Sequence, residues 1–275
     1  MQYAFMTFST PQLTLPQCLT LASTLGYDAI EPRIDSDHAH GIQVQTPASQ
    51  RAELRRQLDD APVRVGCLAT SVRFADPQIA RDFGVDHARR SIDLAGDLGV
   101  PCLRIFGGVA GEGLSEAQAF DRVADALSAI ADDAAQRDVT LCVETHDQWS
   151  DPARMARLMS RLDHPAVAVT WDFLHPQRHG FGSPAESFAI LKPWIRHAHF
   201  HDALIDGDQL TLMPIGEGEV DHRIAIELLL DANYDGCFSG EWTRPRSKPA
   251  EQYLADDLAV LRRYETECST TKANP

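Results

Sequence analysis

Short apolar runs alternate with amphipathic helical stretches along almost the whole chain. Runs such as Val63–Thr70 and Leu103–Phe106 are mostly apolar, which is typical of strands buried on both faces. Apolar residues recur at helical spacing between these runs, and the clearest stripe is Phe120, Val123, Ala124, Leu127, Ile130, Ala131 and Ala134. The alternation predicts a parallel sheet covered by helices.

The pattern contains eight strand–helix units. The predicted strands are Gln2–Phe8, Ala29–Ile34, Val63–Thr70, Leu103–Phe106, Thr140–Asp147, Val167–Phe173, Ile195–Phe200 and Gly236–Trp242. Helix starts are marked by capping boxes at Ser115 with Gln118 and at Ser183 with Glu186, and by an N-cap at Asp221. Eight units in a chain of 275 residues, close to the roughly 250 residues typical of the fold, predict a single (β/α)8 TIM barrel. A doubly wound open sheet is disfavoured because no G-x-G-x-x-G fingerprint follows the first strand.

The predicted domain covers residues 1–265, because no linker or charge run divides them. We expect a disordered C-terminal tail over residues 266–275. In a TIM barrel the active site lies at the C-terminal ends of the strands, so these ends are where catalytic residues are expected.

Composition narrows the range of partners. The chain has 40 acidic and 25 basic residues and a formal net charge of −15, so it should repel nucleic acids. No apolar run approaches the roughly 20 residues of a membrane span, and the N-terminus lacks the features of a signal peptide. Six scattered cysteines without a CxxC motif predict buried thiols in a reducing compartment, so we expect a cytoplasmic protein.

The predicted strand ends are rich in metal-ligand side chains. Glu144, Asp172, His199 and Glu241 come from four successive strands and could surround one cation. Three oxygen ligands and one imidazole suit Mn2+, Mg2+ or Co2+ better than a structural zinc ion. Each residue also has an ordinary structural alternative. Asp172 could cap the following loop, His199 could be a satisfied core histidine, and Glu241 could pair with Arg244.

Two glycine-containing loops lie near these ends. Gly107–Gly113 could hold a phosphate with its backbone amides, although it lacks the lysine and hydroxyl residue that end a P-loop, which favours a flexible mouth loop. Gly216-Glu-Gly218 resembles a lid segment, and the role of Glu217 stays open.

The motifs together resemble the sugar phosphate isomerase/epimerase family, which has a xylose isomerase-like TIM barrel and is grouped with type 2 AP endonucleases. The resemblance runs from about Phe5 to Tyr264. It is carried by Gly26-Tyr-Asp-Ala-Ile-Glu31, Arg104-Ile-Phe-Gly-Gly108, Val143-Glu-Thr-His146, Trp171-Asp-Phe-Leu-His175, His199-Phe-His-Asp202, Ile215-Gly-Glu-Gly218, Asn233-Tyr-Asp-Gly236 and Gly240-Glu241.

The resemblance implies one divalent metal ion bound by the same four residues, with Mn2+ expected and Mg2+, Co2+ or Zn2+ as alternatives. It implies that Glu144 and Glu241 act as an acid/base pair on opposite faces of a bound sugar. It also places Arg104 and His175 against substrate oxygens. His201 stands where the family commonly has lysine, which puts the role of this position as a substrate-binding residue in doubt.

The implied reaction is isomerisation or epimerisation of a keto-sugar or related polyol through an enediolate. A metal-dependent dehydratase of the 3-dehydroshikimate dehydratase type is the alternative, with His146 as a further substrate-binding residue. An AP endonuclease is disfavoured because Thr70-Ser71 and Gly107-Gly108 replace the histidines of its zinc site. A non-catalytic sugar-binding barrel is a further alternative. The substrate, its phosphorylation and the formation of a homo-oligomer stay open.

Overall fold

Nine parallel strands form one nearly closed sheet in the computed structural model, which describes residues 1–207, 209–242 and 248–273. The strands are β1 (Gln2–Met6), β2 (Ala29–Glu31), β3 (Arg64–Val65), β4 (Leu68–Arg73), β5 (Cys102–Phe106), β6 (Thr140–Glu144), β7 (Val167–Asp172), β8 (Ile195–Phe200) and, after the hairpin β9 (Asp202–Asp206) and β10 (Gln209–Met213), β11 (Cys237–Gly240). Their order is β3-β2-β1-β11-β8-β7-β6-β5-β4. The predicted α/β TIM barrel is confirmed.

The third barrel strand is divided, whereas the sequence predicts one strand over Val63–Thr70. β3 pairs with β2 and β4 pairs with β5, so the two segments stand at the two ends of the strand order. The chain passes between them at Gly66, where a Cβ atom would lie 2.4 Å from Sγ of Cys237. An isolated bridge between Arg33 and Ala69 connects the second barrel strand to β4 and brings the barrel close to closure.

Helices cover the outside of the barrel. They are α1 (Leu15–Leu25), α2 (Ala48–Asp59), α3 (Ala80–Phe83), α4 (Val85–Leu98), α5 (Glu116–Gln136), α6 (Pro152–Leu162), α7 (Leu174–Arg178), α8 (Pro184–Leu191), α9 (His222–Asp231) and α10 (Ala250–Ala273). The apolar stripe predicted on α5 is buried throughout. The capping boxes of α5 and α8 and the Asp221 N-cap of α9 are confirmed.

The C-terminal segment differs from its prediction. Helix α10 continues to Ala273, whereas the sequence predicts a disordered tail over residues 266–275; residues 274 and 275 lie outside the described part of the chain. Cys268 is 4% exposed, and this buried side chain holds the last turns of the helix against the protein. All six cysteines are buried, as predicted. Among the described helices, none combines the length and apolarity of a membrane span.

Candidate metal and catalytic site

Glu144, Asp172, His199 and Glu241 meet at the C-terminal mouth of the barrel. Glu144 and Asp172 end β6 and β7, His199 lies near the end of β8, and Glu241 follows β11. The parallel register places Asp172 directly beside His199. One ligand atom from each of the four side chains lies within 4.8 Å of all the others, and all four residues are buried. The four residues that the sequence selects are therefore neighbours in space.

His199 is at the centre of this cluster. Its Nδ1 atom is 3.1 Å from Oε1 of Glu144 and 3.3 Å from Oε2 of Glu241. Its Nε2 atom lies 3.1 Å from both carboxylate oxygens of Glu31. A hydrogen bond from Nε2 to Glu31 fixes the ring and leaves Nδ1 facing the carboxylates of the cluster, which is the arrangement of a metal-binding histidine.

Glu31 contacts the cluster through His199, although it is not among the site residues predicted from the sequence. Its carboxylate also accepts a hydrogen bond from His197, with 2.8 Å between Nε2 and Oε2. Burial alone would raise the pKa of Glu31, but the imidazoles of His199 and His197 hold its pKa well below the usual range. The alternation His197-Ala-His199 places two imidazoles on one face of a strand. This pattern was the signal in the sequence that could have indicated a buried carboxylate partner.

Asp172 has a second set of neighbours. Its Oδ2 atom is 3.0 Å from Nε2 of His201 and 3.8 Å from Nε2 of His175. Its Oδ1 atom accepts a hydrogen bond of 3.1 Å from the backbone N–H of Leu174, so the predicted loop-capping role is present beside the cluster contacts. His201, which replaces the family's lysine, is thus buried against a carboxylate.

Arg104 lies beside Glu144. Its Nε atom is 3.3 Å from Oε2 of Glu144, and its Nη1 atom donates a 2.9 Å hydrogen bond to the carbonyl of Thr70. The guanidinium carbon stands 4.0 Å from the centroid of the Phe106 ring. Glu144 partly balances the charge of Arg104. Because the side chain of Arg104 is only 1% exposed, solvent screens this ion pair weakly.

His146 stands at the outer edge of the site. Its side chain is 31% exposed, its Nδ1 atom is 3.0 Å from Oδ1 of Asp147, and its ring centroid is 4.4 Å from that of His175. No side-chain hydrogen bond to Glu144 is present among the described residues. These residues face a cleft of about 410 Å³ lined by Val109, His146, Asp147, Gln148, His175, Arg178, His179 and Phe181.

The electrostatics of the cluster call for a positive charge at its centre. Burial would raise the pKa of Glu241, but the hydrogen bond and charge of His199 lower it to about 2. Burial opposes protonation of His199, yet Glu31 and Glu144 raise its pKa well above the ordinary value. In the absence of a metal ion, a protonated imidazole therefore neutralises the surrounding carboxylates.

The residues fit a divalent cation. Oε2 of Glu144 and Oδ2 of Asp172 are buried and accept no hydrogen bond from the described residues. Such atoms are costly unless another partner completes their coordination. Three carboxylates and one imidazole form an oxygen-rich donor set that leaves room for substrate oxygens around the ion. Glu144, Asp172, His199 and Glu241 could hold the metal, with Glu31 supporting His199.

Comparison with known proteins gives the family. The model of the xylose isomerase-like TIM barrel family matches residues 19–264, and the chain belongs to this family. A 3-dehydroshikimate dehydratase from Bacillus anthracis is 24% identical over 98% of this chain and 100% of its own length. An L-ribulose-5-phosphate 3-epimerase from Salmonella paratyphi B is 26% identical over 85% of this chain and 84% of its own length.

Solved structures share the fold. The IolI protein, whose crystal structure contains a bound zinc atom, superposes with a TM-score of 0.80 at 17% identity, over 97% of this chain and 99% of its own. The relatives thus include a sugar-phosphate epimerase, a dehydratase and a zinc-containing barrel.

Proposed function

We propose that this protein is a divalent-metal-dependent isomerase or epimerase of a keto-sugar or related polyol, with Mn2+ as the expected ion. The observation that carries the proposal is the convergence of Glu144, Asp172, His199 and Glu241 at one point of the barrel mouth. Glu241 is the most accessible of the four, since its side chain is 11% exposed while the other three are completely buried. This position makes Glu241 reachable by a substrate that enters from the mouth.

When bound, the metal ion supplies Lewis acidity that stabilises negative charge developing on the substrate's carbonyl oxygen. Glu241, ionised at the start, takes the proton from the carbon next to that carbonyl, and Glu144, protonated at the start, returns a proton from the other side; proton exchange with solvent water then restores both carboxyl groups. Return to the same carbon gives an epimer, and return to the neighbouring carbon gives an isomer. Oε2 of Glu144 must leave Arg104 to take part, and the 3.3 Å separation from Nε is long enough to permit this exchange.

A dehydratase is the second candidate, and the position of His146 favours it. The imidazole is partly exposed at the cleft, and Asp147, 3.0 Å away, raises its pKa against the effect of burial. A histidine beside a carboxylate is a typical general base. The full-length match to a 3-dehydroshikimate dehydratase supports the same candidate. In this reaction Glu144 would only bind metal and could keep its contact with Arg104.

The test is proton exchange in heavy water with the Mn2+-loaded protein and a panel of ketoses and cyclic polyol ketones. Deuterium appearing next to the carbonyl of an unchanged or rearranged carbon skeleton supports the isomerase or epimerase. Ultraviolet absorbance of a new conjugated product supports the dehydratase. Glu241→Gln should abolish exchange, whereas Glu227→Gln, on the exposed face of α9, should leave it unchanged. Absence of both signals with every substrate would contradict both candidates.

A further inference from the structure

Three arginines gather on one side of the barrel mouth, at the second, third and fourth barrel strands. Arg33 follows β2, Arg73 ends β4, and Arg104 lies in β5. Arg73 and Arg104 share the ring of Phe106, with their guanidinium carbons 5.1 Å and 4.0 Å from its centroid. Arg33 donates hydrogen bonds to Ser71 and to the carbonyl of Ala69, on the strand that ends in Arg73.

The charges of two of these arginines are not matched by direct ion pairs. Arg104 faces Glu144, as described above. Arg73 makes no hydrogen bond or ion pair with the residues that the structure describes, and its Nε atom is buried. Among the residues that the structure describes, the guanidinium group of Arg33 donates hydrogen bonds only to uncharged acceptors. Buried or half-buried cations without an anionic partner are costly and indicate a missing ligand.

The nearby carboxylates are already engaged. Asp35 lies close enough to influence Arg33, but its oxygens are 2.8 Å from Nε2 of His87 and 2.6 Å from the backbone N–H of Ser71. Asp147, which is close to Arg73, has its carboxylate 3.0 Å from Nδ1 of His146. These two carboxylates reduce the local positive charge without providing the bidentate contact that a guanidinium favours.

The arginines also raise one another's electrostatic energy. Burial is the main cause that lowers the pKa of Arg33 to about 10, and the charges of Arg104 and Arg73 lower it further, against Asp35 and Glu241. The chain as a whole has a net charge of −15, whereas the guanidinium groups beside the metal cluster make this part of the mouth locally positive. An anion placed between these groups would relieve their repulsion.

We propose that Arg33 and Arg73 form an anion subsite that binds a carboxylate or phosphate group of the substrate while the reacting carbonyl lies at the four-residue cluster. The inference rests on the proposed function and specifies the substrate as an anionic polyhydroxy ketone. Phe106 lies between the anion subsite and the four-residue cluster. Its ring contacts Arg73 and Arg104, and its centroid is 5.0 Å from that of the His146 ring. A substrate anchored at Arg73 would extend over Phe106 towards His146 and the cluster.

Calorimetric titration of the Mn2+-loaded protein tests the subsite without requiring turnover. Inorganic phosphate and benzoate serve as probes of the two anionic groups, and the tighter probe identifies the group that the subsite prefers. Arg73→Gln and Arg33→Gln should each weaken binding of the preferred probe about 30-fold, the loss expected for a charge-assisted hydrogen bond. Arg122→Gln removes the same charge from the exposed face of α5, outside the proposed subsite, and should change binding less than about twofold.

A kinetic comparison separates an anion subsite from a merely structural role. With a ketose phosphate or a keto acid, Arg73→Gln should raise KM by about 30-fold; with the matching neutral ketose, KM should be unchanged. Arg73→Lys should recover part of the affinity because it restores the charge but not the planar fork. Circular dichroism and metal content confirm that each variant is folded and loaded.

The outcomes separate this inference from the proposed function. If no ketone reacts but the two arginine variants lose anion binding, the subsite stands and the proposed reaction fails. If neither probe binds the wild-type protein, or if Arg122→Gln weakens binding as much as Arg73→Gln does, the subsite is overturned. Equal loss of activity towards neutral and anionic ketones in Arg73→Gln would also overturn it.

Discussion

Glu31 contacts the candidate metal ligand His199 without belonging to the four-residue cluster. Its two oxygens hold Nε2 of His199, and its Oε2 also accepts a hydrogen bond from His197. Because a carboxylate in this position orients the imidazole and increases its basicity, Glu31→Gln should weaken Mn2+ binding about 10- to 100-fold. Titration calorimetry measures the change, and Glu53→Gln on the exposed surface of α2 is the matched control. An unchanged affinity in Glu31→Gln would show that His199 is oriented by other contacts.

The protonation of His199 leads to a second prediction, which concerns the pH dependence of metal binding. Glu31 and Glu144 outweigh burial and raise the pKa of His199 well above its ordinary value, so the metal-free protein carries a proton there at neutral pH. A metal ion bound to Nδ1 must displace that proton. Metal affinity should therefore rise with pH across the neutral range and stop rising only above the raised pKa.

Calorimetry in two buffers of different ionisation enthalpy measures the proton released on Mn2+ binding. About one proton per bound ion is expected near neutral pH. The measured heat should thus depend on the buffer. Identical heats in both buffers, together with a pH-independent affinity, would contradict the assignment of His199 as a ligand.

The residues of the cluster could be predicted from the sequence because they stand at strand ends, where side-chain chemistry can be read directly. Glu144 and Asp172 end their strands, and His199 and Glu241 lie at the ends of theirs. The contacts of Glu31 and the pairing of His201 with Asp172 depend on which side chains meet across the barrel. Strand periodicity gives the face of each residue but not its partner from another strand.

At the scale of elements, Asp202 organises the loop that follows the hairpin. Its Oδ1 atom accepts hydrogen bonds from the backbone N–H groups of Ala203 and Val220, and its Oδ2 atom accepts from Gly216 and Gly218. The Gly216-Glu-Gly218 segment, which the sequence suggests as a lid, is thereby fixed to the start of β9. A Cβ atom at Gly218 would lie 2.2 Å from Oδ1 of Asp202, which explains the glycine at this position.

Asp202→Ala should lower the free energy of unfolding by about 3 kcal/mol, because several backbone N–H groups lose a charged acceptor in a buried place. Asp221→Ala is the control, since it removes only the N-cap contact to the N–H of Ile224 and should cost about 1 kcal/mol. Urea denaturation monitored by circular dichroism gives both values. Equal costs for the two variants would contradict the role of Asp202 as the anchor of the loop.

The element pattern was predictable where hydrophobic periodicity is strong and failed where short segments depend on tertiary contacts. The predicted strand Ile195–Phe200 has the same bounds as β8, and the capping boxes at Ser115 and Ser183 mark the starts of α5 and α8 as predicted. The hairpin β9–β10 was not predicted, although Asp206-Gly207 is a common turn signal. The division of the third strand depends on the close packing of Gly66 against Cys237, which no local pattern contains.

At the scale of the whole molecule, the barrel concentrates ionisable groups that the overall composition would keep apart. The parallel strands bring buried carboxylates, imidazoles and arginines to one end of the sheet. Oε2 of Glu144 lies 3.3 Å from Nε of Arg104 and Oδ2 of Asp172 lies 3.0 Å from Nε2 of His201, but neither oxygen accepts a well-aligned hydrogen bond within the described residues. Holding these groups together in the folded protein lowers its stability, and a bound divalent ion would stabilise the folded state.

Two other groups in the described chain could compete for an added ion. Glu31, Cys67 and His197 form a deeper group with a thiol ligand, and Asp172, His175 and His201 form one that shares a residue with the proposed site. The deeper group would favour a softer ion such as Zn2+, whereas the oxygen-rich cluster suits Mn2+. Locating the ion is therefore more informative than measuring its stoichiometry alone.

The most direct measurement is anomalous X-ray diffraction from crystals of the protein grown with Mn2+. We predict one strong anomalous peak at about 2.0–2.3 Å from a ligand atom of each of Glu144, Asp172, His199 and Glu241. Absence of a peak at these four side chains, or a peak at the Glu31, Cys67 and His197 group instead, would contradict the proposed metal centre and the reaction built on it.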